Sequence, residues 1–305
     1  MNKFRLEVFV MEVIMKKVGR ILFCVVPFLL AYGIQTLISI PFIGIGSAYI
    51  LCTSKEVSDF QTLVNAILKL LTSSGFNTWL SATYGLAALA VFALWYQKRF
   101  HAADVRTIPR YFNPMILISL VAIAVGLQYV TNYVVTFTAY LQPGWMKTYE
   151  NLLKTIDIAH VTPVLLLYSV IIAPICEELI FRGVTMSYAK KEMPFWVANI
   201  LQAVLFGVYH MNPLQGVYAF FIGLFLGYVC HKGGSIFLSM CLHALFNLWG
   251  TLAPENFAFG SDKLFFFIFW LVFGLIVLSA GLVFYKKGIF HRDQRVNNFT
   301  DYSDN

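Results

Sequence analysis

The fold is decided by the stretch 163–189, which reads PVLLLYSVIIAPICEELIFRGVTMSYA. This stretch is long enough to cross the roughly 30 Å of hydrocarbon in a bilayer as a single helix. It nevertheless carries two adjacent glutamates and an arginine, Glu177, Glu178 and Arg182. Ionisable groups inside hydrocarbon are rare and usually functional, because an isolated charge there is costly. The stretch therefore predicts a membrane-spanning helix that contributes to a buried polar site.

The composition of the whole chain indicates an integral membrane protein. Of its 305 residues, 59% are hydrophobic and only 12% are charged, and the mean hydropathy is +0.73. Soluble proteins contain about 25% charged residues, so much of this surface is expected to face the lipid bilayer. The net charge of +7 is not gathered in a basic stripe with interleaved aromatics. Nucleic acid is therefore not an expected partner.

Seven further apolar stretches accompany the first one. They predict an all-α integral membrane protein, a polytopic bundle of about eight transmembrane helices. The predicted spans lie near residues 20–50, 79–96, 114–141, 163–189, 195–211, 213–230, 235–252 and 264–285. Pro27 and Pro41 predict a kink in the first span.

The distribution of basic residues supports this number of spans. With the N-terminus inside, the inner segments hold 16 of the 22 lysines and arginines and the outer segments hold five. Because cytosolic loops accumulate Lys and Arg, we predict a multi-pass protein of the plasma membrane with both termini in the cytosol. The apolar run after Arg20 is roughly twice as long as that of a signal peptide. We interpret it as a signal-anchor helix, with Met15 as the natural start.

The chain divides into four regions without a soluble domain or an internal repeat. We expect an N-terminal membrane region of about three helices at 1–162 and a core of about four helices at 163–250. A final transmembrane helix at 251–290 precedes a polar cytosolic tail at 291–305, which has no apolar period and is expected to be disordered. The five cysteines have no metal-type spacing and predict no disulfide framework.

Helical spacing separates the roles of the two glutamates. Glu178 and Arg182 are four residues apart and share a face, so they are expected to pair, whereas Glu177 points about 100° away. One carboxylate is then neutralised while its neighbour stays available. A second pair with the same spacing, His243 and Asn247, lies in another span.

The polar residues of three spans are predicted to lie at similar depth. At 1.5 Å per residue from the inner loops, Glu178 is about 18 Å deep, His210 about 22 Å and His243 about 14 Å. Phe206 precedes His210 by four residues, which places an aromatic ring one turn away. The three helices are therefore expected to meet near the middle of the bilayer.

Two kinds of chemistry fit this set of residues. A glutamate shielded from bulk water can act as a general base towards a water molecule, with histidine and asparagine donating hydrogen bonds to an oxyanion. Alternatively, His210, His243 and Glu177 hold a divalent metal, with Zn²⁺ as the expected ion and water in its open position. Asn247 is a poor zinc ligand, which favours a donor role for it. Hydrolysis of an amide or ester fits either version.

Three segments of the chain resemble the motifs of the CPBP family, which comprises CAAX prenyl endopeptidases and bacteriocin-processing or immunity proteins, also called Abi proteins. The motifs are E-E-x-x-x-R at Glu177, Glu178 and Arg182, F-x-x-x-H at Phe206 and His210, and H-x-x-x-N at His243 and Asn247. The resemblance covers roughly residues 163–250. Each motif alone is weak, but the three in this order are specific.

The resemblance implies an intramembrane metalloendopeptidase with an all-helical, usually eight-span fold and a cavity open to the cytosol. Its substrate would be a membrane-associated or lipidated peptide or protein. By position, Glu177 would activate the water, and Glu178 and Arg182 would support it.

The resemblance also implies roles for the remaining motif residues. His210, His243 and Asn247 would bind a metal or stabilise the oxyanion. A metal-free glutamate mechanism has been proposed for the family as well, so both readings stay open.

Other functions use the same residue types. A transporter can hold Glu, Arg and His at the midplane, but corresponding broken helices in two halves are not found. A catalytically silent immunity or scaffold protein would keep the same fold. A soluble-type zinc protease would show H-E-x-x-H, which is absent from the sequence. Glu178 and Arg182 alone would be equally consistent with a structural ion pair. The joint presence of all three motifs favours catalysis.

Overall fold

The computed structural model describes residues 12, 15–53, 59–100, 113–156, 161–252 and 263–303. Within these ranges the chain forms helices and short connections, and no strand is present. The predicted all-α, polytopic fold class is confirmed.

The helices are numbered here in chain order. They are α1 Val26–Thr53, α2 Phe60–Leu71, α3 Ser74–Phe100, α4 Pro114–Leu141, α5 Pro143–Ile156, α6 Pro163–Glu192, α7 Phe195–Tyr209, α8 Pro213–Gly233, α9 Ile236–Leu252 and α10 Leu264–Ser303. A helical segment at 15–23 precedes α1, and the chain turns at Cys24 and Val25, next to Pro27. The helix is therefore interrupted next to Pro27, whereas α1 continues through Pro41, the other residue at which a kink was predicted.

Each predicted span corresponds to an apolar helix. In the described part of the chain, six helices are long and apolar enough to cross a membrane: α1, α3, α4, α6, α8 and α10. The other two predicted spans are α7, with 15 residues, and α9, with 17 residues. At 1.5 Å per residue they are about 22 and 26 Å long, shorter than the hydrocarbon layer.

Three of the long helices begin with the same local signal. Asn113, Thr162 and Asn212 precede α4, α6 and α8, and each is followed by proline. Each side-chain oxygen accepts a hydrogen bond from the backbone N–H three residues later, at 2.8, 3.2 and 3.0 Å. Because proline lacks an N–H and already has a helical φ, it suits the first turn. These caps fix where the helices enter the bundle.

Two helices, α2 and α5, lie between the predicted spans, in segments that were expected to be connections on the outer side. In α5, Trp145, Tyr149 and Leu152 recur at helical spacing, and α2 shows a similar apolar stripe. Helices with one apolar and one polar face lie in the membrane interface instead of crossing the bilayer. The ring of Tyr149 packs against Tyr218 of α8 with 6.0 Å between centroids, so α5 is attached to the bundle.

The C-terminal tail also differs from the prediction. Helix α10 continues to Ser303, so the expected disorder at 291–305 is wrong for 291–303. A helix that already exists extends without a new nucleation cost. Arg292 anchors the extension, because its guanidinium donates to the Gly233 carbonyl at 2.8 Å.

Glycines allow α7 and α8 to pack closely as an antiparallel hairpin. A Cβ added at Gly207 would lie 2.6 Å from the Gly216 carbonyl oxygen, and one at Gly223 would lie 3.2 Å from Ala203. At Gly227 an added Cβ would overlap the side chain of Asn199. The G-x-x-x-G pair at Gly223 and Gly227 therefore packs helices within one chain.

A second close interface joins α4 to α10. Gly274, Gly281 and Gly288 repeat every seven residues along one side of α10. Added Cβ atoms at these three positions would meet Tyr129, Ile123 and Ile116 of α4, respectively. The contacted positions of α4 decrease in number as those of α10 increase, so the two helices are antiparallel.

The α7–α8 interface predicts a stability effect at Gly227. Gly227→Ala should lower the free energy of unfolding by about 1–3 kcal/mol, because the methyl group has no room beside the buried Asn199 amide. The matched control is Gly44→Ala in α1, where an added Cβ meets nothing within 4 Å. Thermal unfolding of both variants in detergent provides the comparison, and equal melting temperatures would contradict the proposed packing.

Candidate active site

A buried ion pair occupies the middle of α6. Glu178 is 0% and Arg182 is 1% exposed. The Nη1 atom of Arg182 donates to Oε1 of Glu178 at 2.7 Å, as the four-residue spacing predicts. Its Nη2 atom donates to the Gly223 carbonyl of α8 at 3.2 Å. Because a guanidinium remains protonated, its partner is an ionised carboxylate.

The helix that carries this pair is not regular. Two π-helical segments, Tyr168–Ile172 and Leu179–Thr185, flank the α-helical turns Ala173–Glu178. Pro174 explains the first segment, because proline has no N–H to donate and its ring crowds the carbonyl four residues earlier. The widened turn relieves this conflict, since the Ala173 N–H bonds to the Tyr168 carbonyl. Such segments occur frequently at functional sites.

The two adjacent glutamates have different surroundings. The side chain of Glu177 is 12% exposed, whereas that of Glu178 is fully buried. Arg182 forms its ion pair with Glu178. Glu177 is therefore the carboxylate that is left to interact with a reactant, in agreement with the different directions predicted from helical spacing.

His243 of α9 lies between the two carboxylates. Its Nδ1 atom is 2.9 Å from Oε1 of Glu178, and its Nε2 atom is 3.6 Å from Oε2 of Glu177. Since Glu178 is ionised, it accepts this hydrogen bond, and Nδ1 carries the proton. In the neutral ring, Nε2 then directs a lone pair towards Glu177.

His210 follows the last residue of α7 and is oriented by its own helix. Its Nδ1 atom is 2.8 Å from the Phe206 carbonyl oxygen. A carbonyl can only accept, so Nδ1 is the donor, and Nε2 of the neutral ring keeps its lone pair. Both histidines are thus held as the same tautomer by different acceptors.

The ring of Phe206 connects the helices of the site. It meets His210 edge-on at 4.9 Å and His243 edge-on at 5.7 Å between ring centroids. The guanidinium carbon of Arg182 lies 4.5 Å above the same ring, a distance typical of a cation–π interaction. The predicted meeting of α6, α7 and α9 is therefore present, with Phe206 between His210 and the charged pair.

Asn247 lies one turn beyond His243 on α9. Its Nδ2 atom donates to the Ser169 carbonyl at 2.9 Å, within the first π-helical segment of α6. The Ser169 hydroxyl is in turn 3.4 Å from the Thr251 hydroxyl. Asn247 therefore joins α9 to α6, and one of its two N–H groups is committed to this bond.

A layer of buried polar side chains next to the ion pair was not predicted from the sequence. Asn199 and Gln202 of α7 are both 0% exposed. Gln202 donates to Asn199 Oδ1 at 2.7 Å and to the Gly223 carbonyl at 2.9 Å, the same oxygen that accepts from Arg182. Asn199 donates to the Leu224 carbonyl at 3.0 Å. The sequence shows these two amides three residues apart in an apolar span, and this spacing could have predicted the layer.

The predicted metal ligands satisfy one requirement of a metal site. Both imidazoles donate Nδ1–H to an acceptor and leave Nε2 available, as metal-binding histidines usually do. Across the described residues, however, no group of three or more His, Cys, Asp or Glu side chains is arranged so that it could hold a metal ion. The ligand set His210, His243 and Glu177 stays a prediction.

Comparison with known proteins agrees with the motifs. Residues 158–249 match a family model described as type II CAAX prenyl endopeptidase Rce1-like. The chain is 24% identical over 98 residues to "Putative membrane peptidase YdiL" of Bacillus subtilis (strain 168), over 32% of this chain and 40% of that protein. No solved structure gives a significant match. The matched segment, residues 158–249, contains all six predicted site residues and is similar to the CPBP family.

Proposed function

We propose that this protein is an intramembrane endopeptidase that hydrolyses a peptide bond of a membrane-associated or lipidated peptide. The observation that carries the proposal is the different state of the two glutamates. Glu178 is neutralised by Arg182 and orients His243, while Glu177 faces the free nitrogen of that histidine. A carboxylate held in this way is suited to act as a general base.

The gap between Glu177 and His243 suits the attacking water. Oε2 of the glutamate and Nε2 of the histidine are 3.6 Å apart, too far for a direct hydrogen bond. In the neutral tautomer with the proton on Nδ1, both atoms are acceptors. A water molecule that donates one O–H to each atom satisfies both. We place the nucleophile at this position.

The reaction then needs one proton transfer in each direction. Glu177 takes a proton from the water while the water oxygen bonds to the peptide carbonyl carbon, and the carbonyl oxygen gains the negative charge. When the tetrahedral intermediate collapses, the C–N bond breaks and the protonated Glu177 returns its proton to the leaving amine. General base catalysis of this kind contributes typically 10²–10⁴-fold, on the order of 3–5 kcal/mol of barrier.

The substrate and setting follow from the matched family and the charge distribution. The family description names a CAAX prenyl endopeptidase. We therefore propose that the substrate carries a lipid that holds it in the bilayer beside α6. The bias of Lys and Arg towards one set of loops supports the proposal that both termini lie in the cytosol, and we propose the plasma membrane as the location of the protein.

As an alternative to this metal-free arrangement, we propose that His210, His243 and Glu177 hold Zn²⁺. When bound, it would polarise the water or the substrate carbonyl.

Glu177→Gln is expected to lower peptide cleavage by at least about 100-fold, because an amide cannot accept the proton from water. The assay uses purified protein in proteoliposomes and a fluorogenic peptide with an S-farnesyl cysteine four residues from its C-terminus. The same peptide without the farnesyl group reports on the need for the lipid. Glu150→Gln, the same change at an exposed position on α5, is the control and should keep full activity.

Two results would overturn the proposed function. One is cleavage by Glu177→Gln at the wild-type rate. The other is the absence of cleavage of both peptides, and of a randomised peptide mixture followed by mass spectrometry, by intact wild-type protein.

The buried ion pair predicts a pattern in stability. Arg182→Met should destabilise the protein by about 3–5 kcal/mol, because it leaves the Glu178 carboxylate buried without its partner. The double variant Glu178→Gln/Arg182→Met should regain most of this loss, yet remain poorly active because His243 has lost its ionised acceptor. Melting temperatures and cleavage rates of the two variants test this, and a double variant no more stable than Arg182→Met would contradict it.

The Zn²⁺ ligand set predicts a measurable metal content. Purified active protein should carry stoichiometric Zn²⁺, which His210→Ala or His243→Ala releases and the control His231→Ala retains. Elemental analysis of the three variants measures this independently of cleavage. Full activity in protein that lacks bound metal would remove Zn²⁺ from the mechanism and leave Glu177 as the sole activator of water.

A further inference from the structure

The proposed hydrolysis creates an oxyanion, and the motif residues offer it few hydrogen-bond donors. His210 and His243 each donate Nδ1–H to another acceptor, so this N–H of either ring is not available to the oxyanion. One N–H of Asn247 is committed to the Ser169 carbonyl. Stabilising such an oxyanion usually requires more than one preorganised donor. The oxyanion therefore requires a further hydrogen-bond donor from a neighbouring polar group.

A pair of tyrosine hydroxyls meets this requirement. Tyr84 of α3 is 4% exposed, and its hydroxyl oxygen is 2.6 Å from that of Tyr209, the last residue of α7. Two hydroxyls bring two protons, and the hydrogen bond between them uses one. The pair therefore keeps one O–H that can donate to a third group.

This pair lies beside the reacting groups. Tyr209 directly precedes His210, and their rings are 5.9 Å apart in an edge-on arrangement. Tyr209 also packs edge-on against Phe181, one residue before Arg182, at 5.4 Å. Tyr209 thus links the hydroxyl pair to the part of the site that contains His210 and Arg182.

A third tyrosine fixes the position of this pair. The hydroxyl of Tyr32 in α1 donates to the Tyr209 carbonyl at 2.7 Å and lies 3.3 Å from the Val208 carbonyl. The last carbonyls of a helix lack partners within the helix, and hydrocarbon offers no water to replace them. Tyr32 therefore caps α7 from a neighbouring helix and holds the turn that carries Tyr209 and His210.

We propose that the hydroxyl pair of Tyr84 and Tyr209 donates a hydrogen bond to the substrate carbonyl oxygen as it becomes the oxyanion. Tyr84 is then a catalytic residue that α3 contributes from outside the matched segment 158–249. This inference rests on the proposed peptidase function. The alternative is that the hydrogen bond between the two hydroxyls only joins α3 to α7, as buried tyrosine hydroxyls often do.

The catalytic role and the purely structural role of the pair predict different kinetics. Tyr84→Phe should lower kcat for the farnesylated fluorogenic peptide by about 10-fold, and Tyr84→Phe/Tyr209→Phe by about 100-fold, because the remaining hydroxyl in the single variant can still donate. KM should stay within about twofold, since the interaction strengthens only in the transition state. The matched control is Tyr285→Phe, which removes another buried hydroxyl that donates to a backbone carbonyl, that of Val229 at 2.8 Å.

A transition-state analogue provides a second measurement. A phosphinate version of the same farnesylated peptide carries a tetrahedral, negatively charged centre at the scissile position. Its inhibition constant should rise in the tyrosine variants in proportion to the loss of kcat/KM, because the analogue uses the same donor. A purely structural pair would not produce this correlation.

The outcomes separate this inference from the function on which it rests. Full kcat in Tyr84→Phe/Tyr209→Phe, while Glu177→Gln is inactive, would overturn the role of the hydroxyl pair and leave the peptidase standing. A loss of kcat that comes with a melting temperature below that of Tyr285→Phe and an unchanged phosphinate affinity would assign the pair to packing. Wild-type cleavage by Glu177→Gln would overturn the proposed function itself.

Discussion

The buried ion pair between Glu178 and Arg182 is the interaction on which the arrangement of the core depends. Two buried charges are costly unless they are paired and bonded to further groups. Further contacts come from three other helices: His243 of α9, the Gly223 carbonyl of α8 and the ring of Phe206 of α7. Oε2 of Glu178 and Nε of Arg182 have no hydrogen-bond partner among the described residues. Helices α7, α8 and α9 are therefore positioned around α6 by the needs of one charged pair.

The same pair makes two neighbouring carboxylates chemically different. Glu178 neutralises the guanidinium and fixes the tautomer of His243, so its role is positional. Glu177 does not form the ion pair with Arg182, and its Oε2 atom lies 3.6 Å from Nε2 of the histidine. If Arg182 lay between the two glutamates, both would be partly neutralised and neither would be an effective base. Because the pair spans four residues along one face, the adjacent residue must point elsewhere.

Much of the site could be predicted from helical geometry, and the remainder depends on tertiary packing. The Glu178–Arg182 contact follows from the four-residue spacing, which brings two side chains to the same face of a helix. The depth of His243 in the bilayer stays a prediction. The π-helical segments of α6 depend on how the packed helices accommodate Pro174. The amphipathic helix α5 has a row of apolar residues that is too short to be recognised as a membrane span. The helical end of α10 was missed because polar composition was given more weight than extension from an anchored helix.

Tyr32 and Tyr84 show why the N-terminal region was harder to interpret. A tyrosine in an apolar span is typical of the membrane interface, so neither residue suggests a site by itself. Their roles arise because α7 is short and ends next to His210, inside the bundle. The last carbonyls of such a helix need partners from outside the helix, and the hydroxyl of Tyr32 supplies one for Tyr209. The region without a family motif therefore holds the last turn of α7 in place, and through Tyr84 it also contributes the hydroxyl that pairs with that of Tyr209.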